Sequence, residues 1–221
     1  MLTPQLQSKK NKRMKIIEKY KQLGPLNFIK RVMLSLLSVV GIRINKWLIC
    51  TQKLNTNKLQ SHNIDGKFIV RQMTLKDFLT SKKFDEDKLK SFKERFSNKF
   101  FVAYGVYDKN ELAYYCWISL KEYQFSKDLY KSTLNEDQGM LFDAFCFPKY
   151  RGNRLHNFMN IYRLKKLEEH KKKEALVVLL SQNTPARKSQ KKAGFVCLKT
   201  VTTYVIFGKK GYFVSNKKIN L

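Results

Sequence analysis

The sequence predicts an α+β fold of mixed α/β type, one sheet with helices around it, preceded by a basic helical extension. Three observations predict it. Between residues 67 and 207, apolar runs of strand length alternate with amphipathic stretches in the order βααβββαβαββ. Within that order, Gly139–Phe195 reads as strand, turn, helix, strand, helix, a βαβα unit able to hold a phosphorylated ligand. Residues 1–60 are different in kind: they hold thirteen Lys/Arg and a single acid, Glu18.

These shifts divide the chain into a basic helical extension (1–60, an amphipathic hairpin), a folded domain (67–207) and a basic tail (208–221). With 221 residues, 43% of them hydrophobic, one well-filled core plus an appendage is expected, and two large domains are not.

In the extension, Met14–Leu23 and Pro25–Val40 read as helices joined at Gly24, with Pro25 suited to a first helical position and Gly41 to a C-terminal cap. Leu26, Ile29, Met33, Leu36, Leu37 and Val40 share one face, and Asn27, Arg31, Ser35 and Ser38 the other. The uncharged run Val32–Ile42 is eleven residues, short of the roughly 20 a spanning helix needs. Two expectations stay open for this segment: packing on the core or on a second subunit in a homo-oligomer, and peripheral contact of residues 14–41 with an anionic membrane surface. Nucleic acid ranks below both, because no zinc-finger, helix-turn-helix or aromatic RNA-binding signature is present.

The domain opens with a strand at Phe68–Met73, then a helix capped by Thr74 and carrying Asp77 and Phe78. Phe84–Phe96 follows as a charged amphipathic helix. Phe100–Tyr107 and Leu112–Leu120 are rich in aromatic and β-branched residues, and Asp108–Glu111 between them has hairpin length. Residues 121–138 read as irregular loop. The run Gly139–Phe147 is the next strand, Pro148–Leu155 the turn, and a helix extends to about His170. Ala175–Leu180 is a strand, Thr184–Pro185 starts a helix, and Val196–Leu198 and Val201–Phe207 are two more strands.

Lys+Arg total 45 against 17 Asp+Glu, a formal charge of +28. Such a field draws in polyanions: nucleic acid, acidic lipid headgroups or phosphorylated small molecules. Cys50, Cys116, Cys146 and Cys197 are widely spaced, without a C-x-x-C pair or ligand cluster, which predicts reduced thiols and a cytoplasmic setting with no bound metal. No apolar segment with a small-residue cleavage site stands at the N-terminus.

A diphosphate needs hydrogen-bond donors without bulk, best supplied by successive backbone N–H groups at a helix start, where the dipole also favours negative charge. Arg151-Gly152-Asn153-Arg154, directly after a strand and opening a helix, meets that need. With Pro148-Lys149-Tyr150 before it and Asn183-Thr184-Pro185-Ala186 and Ala193-Gly194-Phe195 after it, the stretch resembles the acyl-CoA-binding core of the GNAT superfamily of N-acyltransferases. The resemblance covers about residues 67–207 and implies a mostly antiparallel, splayed sheet flanked by helices. It departs from the family pattern at Arg154 and His156, where glycines are usual, so that side chains are expected to crowd the pyrophosphate position.

The resemblance further implies acetyl-CoA as co-substrate, with contacts from Arg151, Gly152, Asn153, Arg154, Leu155 and His156. The strand end at Phe145 and Phe147 would pair with the pantetheine arm, and Asn183 would contact the arm or the acceptor. The family's usual Tyr acid is replaced by Gln190, which leaves Tyr204 and Tyr150 as candidates. For the base, Asp143 is a carboxylate in an apolar strand whose burial would raise its pKa. The implied activity is N-acetyl transfer to a small-molecule primary amine, first an amino sugar linked to a nucleotide or a glycan precursor. Two alternatives stand beside it: a non-catalytic GNAT-fold binding module, and a transferase using aminoacyl-tRNA or a lipid-linked precursor.

Overall fold

The computed structural model describes residues 25–55, 64–81, 83–125, 130–216 and 219. The expected helix Met14–Leu23 lies outside them. The chain divides into two compact units, Thr51–Val177 and the segments Met1–Cys50 and Val178–Leu221, with the boundaries inside two strands.

Thr51–Val177 contains β2 (Phe68–Gln72), α2 (Leu75–Thr80), α3 (Glu86–Phe96), β3 (Phe101–Asp108), β4 (Glu111–Ser119), β5 (Glu122–Phe125), β6 (Tyr130–Thr133), β7 (Gln138–Cys146), α4 (Leu155–Glu169) and the start of β8 (Glu174–Leu180). β2, β3, β4 and β7 pair antiparallel in that order, and β7 pairs parallel to β8. The architecture is therefore mixed α/β, with a largely antiparallel sheet flanked by helices. β4 is buried almost end to end. A strand covered on both faces needs a continuous apolar run, which Leu112–Ile118 supplies.

Alternation along β4 sends its side chains to two different helical layers. Tyr115 and Trp117 meet α2 and α3, where Phe78, Phe92 and Phe96 lie with ring centroids 5.0–5.8 Å from them. Tyr114 points the other way, to α4, where its hydroxyl meets His156. α4 also approaches β7 closely, since a Cβ on Gly139 would come within 2.4 Å of Leu167. Only glycine permits that contact. Thr74 is the N-cap of α2 as expected, and the Asp77 carboxylate accepts the Thr74 N–H at 2.7 Å and a hydrogen bond from Arg71 at 2.6 Å. The expected loop 121–138 instead contains the two-stranded β5–β6 ladder.

The other unit carries α1 (Pro25–Val39), most of β1 (Ile42–Lys53), α5 (Thr184–Lys192), β9 (Val196–Ile206) and β10 (Lys209–Ser215). Four expectations change here. Ile42–Lys53 was read within the helical extension and is a strand, its Ile42-Arg43-Ile44-Asn45 alternation outweighing the charge bias that grouped it with the helices. Val196–Ile206 is one continuous strand. The basic tail is largely β10, paired antiparallel to β9 from Lys209↔Ile206 to Ser215↔Thr200. Cys50 and Cys197, both fully buried, form a disulfide, where the wide spacing had suggested reduced thiols. Cys116 and Cys146 are free. Among the described residues, no helix is long and apolar enough to cross a membrane.

Candidate functional site

The site grows from an irregularity in β7. Its parallel ladder with β8 runs from Gln138↔Glu174 to Leu141↔Val177. On its other edge, Phe142 stands opposite Trp117 and Phe145 opposite Tyr115. Asp143 and Ala144 thus face the single residue Cys116, a bulge at which Asp143 takes φ 40°. Arg163, buried in α4, reaches the bulge with one guanidinium nitrogen 3.4 Å from the Phe142 carbonyl and 3.5 Å from that of Trp117.

Beyond the bulge the chain turns at Pro148–Tyr150 and enters α4 through Arg151–Arg154. Glu111 fixes this turn from the β3–β4 hairpin, accepting from Tyr150 Oη at 2.6 Å, Lys149 Nζ at 2.6 Å and Lys83 Nζ at 2.9 Å. Lys149, Tyr150 and Lys83 together hold the Glu111 carboxyl down at about 2. Asn153 Nδ2 donates to the Tyr150 carbonyl at 2.9 Å and closes the turn on itself.

Gly152 has φ +92° and Arg154, the N-cap, has φ +57°. Left-handed residues on either side of Asn153 turn successive N–H groups into one concave surface. The N–H groups from Gly152 to Asn157 have no hydrogen-bond partner among the described residues. The first turn of α4 carries no acid, and a Cβ on Gly152 would meet nothing within 4 Å. Open donors, the positive end of a 15-residue helix and the exposed Arg151 and Arg154 make this an anion cradle that fits a diphosphate.

His156, expected to crowd that space, does not. Its ring is largely buried and its Nδ1 lies 2.9 Å from Tyr114 Oη on the sheet side. Burial, reinforced by the nearby Arg163 charge, pushes the imidazole down to about 4, so it is neutral at pH 7. Leu155 is buried as well and contributes only its backbone to the cradle. Arg154 keeps the left-handed conformation that a glycine would adopt at its position.

The raised pKa expected for Asp143 is corrected. Burial alone would raise its pKa, but Arg95 and Lys88 outweigh it and the carboxyl sits below its ordinary value. Lys88 Nζ lies 2.8 and 3.0 Å from its two oxygens, and Arg95 also donates to it. A carboxylate held this firmly in its charged form is a weak proton acceptor. Tyr150, with its hydroxyl given to Glu111, is likewise engaged. Tyr204 belongs to the other unit, with its hydroxyl 2.4 Å from where a Cβ on Gly211 of β10 would stand. Asn183, also in that unit, caps α5, its side-chain oxygen accepting the Ala186 N–H at 3.3 Å. Phe145 is exposed and Phe147 half-buried at the end of β7, their ring centroids 5.1 Å apart. The roles of Glu111, Tyr114 and Arg163 carried no sequence signal, because each acts through a partner distant in the chain.

No family model and no curated protein matches this chain. Solved structures do. A tandem GNAT protein from the clavulanic acid biosynthesis pathway superposes with a TM-score of 0.56 at 12% identity, covering 87% of this chain and 58% of its own. The chain has the GNAT fold. Two further structures of this shape are a Drosophila protein (TM-score 0.55, 12% identity, 83% of this chain and 59% of its own) and a functionally unknown conserved protein from Staphylococcus epidermidis (TM-score 0.54, 10% identity, 84% and 67%). The chain thus spans less than three fifths of the length of the tandem and Drosophila proteins. Among the described residues, no group of three His, Cys, Asp or Glu side chains is placed to hold a metal ion.

Proposed function

We propose that this chain is an acetyl-CoA-dependent N-acetyltransferase acting on a primary amine. The observation that carries the reading is the set of unspent backbone donors from Gly152 to Asn157 at the start of α4, beside the strand end of β7. Those amides, with Arg151 and Arg154, would take the diphosphate. Phe147 gives its N–H to the Ala113 carbonyl at 3.0 Å, on the β4 side, so the opposite edge of the strand end, at Cys146 between Phe145 and Phe147, would pair with the pantetheine amides, which lays the thioester along the bulged strand. Acetyl-CoA supplies the activated acyl group. The acceptor nitrogen attacks the thioester carbonyl, the C–N bond forms, the C–S bond breaks to release CoA, and the amine proton passes to solvent, since Asp143 is bound to Lys88 and Arg95.

A formal charge of +28 favours an acceptor that itself carries phosphate, such as an amino sugar joined to a nucleotide or a glycan precursor. Binding without chemistry is the second reading. It is favoured by the Asp143 ion pairs and by Gln190, buried at the place where the resemblance puts a Tyr.

Thermal unfolding with and without acetyl-CoA tests binding. Coenzyme at about 100 times its Kd stabilises by about 2.7 kcal/mol, a rise of roughly 5–10 °C for a chain of this size. No shift at millimolar coenzyme removes both readings. Release of free thiol on adding nucleotide-linked amino sugars, sugar phosphates, polyamines or peptides then separates enzyme from binding module. Activity that requires aminoacyl-tRNA in place of acetyl-CoA would replace the proposal with the transfer-RNA-dependent alternative.

A further inference from the structure

The charge of this protein is concentrated in one unit. Counted along the sequence, Met1–Cys50 and Val178–Leu221 together hold 20 Lys/Arg and one acid, Glu18, while the other 16 acids lie in Thr51–Val177. The same unit leaves uncovered the kind of surface that folding normally buries. In α1 and the turn that ends it, Ile29, Met33, Leu36 and Val40 recur at helical spacing and are all exposed, Leu36 at 65%. At the end of the helix Val39 is 83% exposed, and at the β9–β10 turn Phe207 is 75% exposed.

These two features are one tip. Phe207 N–H donates to the Gly41 carbonyl at 3.0 Å, and the Phe207 ring lies 3.6 Å from where a Cβ on Gly41 would stand. Arg43 and Lys46 follow α1, and Lys209 and Lys210 follow Phe207, all four exposed. An apolar helix face continued by an aromatic hairpin tip and rimmed by cations, with no acid among the described residues of this unit, matches the boundary between acyl chains and anionic headgroups.

We infer that this unit seats the protein on an anionic bilayer surface, with Leu36, Val39, Val40 and Phe207 entering the acyl boundary and Arg43, Lys209 and Lys210 at the headgroups. A nucleic acid would satisfy the charge but offers nothing to aliphatic side chains standing clear of the protein. The inference does not depend on acetyl transfer.

The test is co-sedimentation of the full chain with vesicles of neutral phosphatidylcholine and of phosphatidylcholine mixed with phosphatidylglycerol. Binding to the anionic vesicles, weakening as salt rises and absent on neutral ones, supports the inference. Each lysine near the surface is worth roughly a fivefold change in partitioning, so the double variant Lys209→Glu/Lys210→Glu should bind at least ~10-fold more weakly. Leu36→Asp/Phe207→Asp should do the same, and because all four positions are exposed, unchanged melting curves are expected. No sedimentation with anionic vesicles, or sedimentation that neither variant weakens, overturns the inference. A dimer in light scattering that Leu36→Asp/Phe207→Asp converts to monomer, without vesicle binding, would assign the face to a second copy. Salt-sensitive retention on RNA with no vesicle binding would assign it to nucleic acid.

Discussion

Tyr114 Oη and His156 Nδ1 are 2.9 Å apart across the interface between β4 and α4. This contact holds the imidazole against the sheet at the second position of the helix, leaving its backbone N–H to the anion cradle. The consequence is a pH dependence with a defined sign. The folded-state pKa is about 4, below the ordinary value of 6.5. Between those values the unfolded chain takes up a proton that the folded one refuses. The contribution of His156 is therefore complete above pH 6.5 and is lost as pH falls towards 4, by about 3 kcal/mol at most. Urea midpoints measured from pH 7 to pH 4 should fall in the natural protein, and His156→Asn should flatten that part of the curve. Parallel curves would place the ring in solvent.

The turn before α4 makes a second expectation. Gly152, at φ +92°, has open space around its missing Cβ, so Gly152→Ala acts through the backbone alone. It should cost about 1 kcal/mol and raise the Kd for acetyl-CoA in titration calorimetry. Arg154→Gly is the contrasting change. Removing left-handed strain from a non-glycine residue offsets the entropy that glycine adds to the unfolded chain, so stability should stay within about 0.5 kcal/mol. A Gly152→Ala protein with unchanged stability and unchanged coenzyme affinity would show that the turn is not held in this shape.

Local patterns made the middle of the fold legible. The β3–β4 hairpin, the aromatic strands beside it, the N-cap Thr74 and the start of α4 all follow from spacing and turn chemistry within a few residues. What was missed depends on distant partners. β10 exposes Tyr212, Phe213 and Val214, so no buried alternation marks it, and only the positive φ of Phe207 and Gly208 reveals the turn that pairs it with β9. β1 hid in a basic stretch whose charge suggested more helix. In the site, the cradle could be read from Arg151–Arg154, whereas the state of Asp143 could not. Its partners Lys88 and Arg95 lie 55 and 48 residues earlier.

Cys50 and Cys197 were also invisible as a pair, being separated by 147 residues. A link across so long a segment restricts the unfolded chain and contributes about 5 kcal/mol in the entropic account. Alkylation in denaturant without reductant should modify only Cys116 and Cys146, and reductant should lower the melting temperature. Four alkylated cysteines in the unreduced protein would contradict the bond.

The ion pairs of Asp143 decide between structural and catalytic use of that carboxylate. Asp143→Asn leaves Lys88 and Arg95 without their shared counter-charge in a largely covered position, a loss of about 3 kcal/mol. Because the carboxyl sits below its ordinary value, its contribution is present above pH 4 and disappears as pH falls through the folded-state pKa, the opposite of what a base poised near neutrality would do. A catalytic Asp143 would give acetyl transfer a rising limb near neutral pH that vanishes in the Asn variant. The ion pairs predict otherwise: any such limb stays in place, and Asp143→Asn lowers the melting temperature more than it lowers turnover per folded molecule. Loss of the limb with unchanged stability would return Asp143 to the role of base.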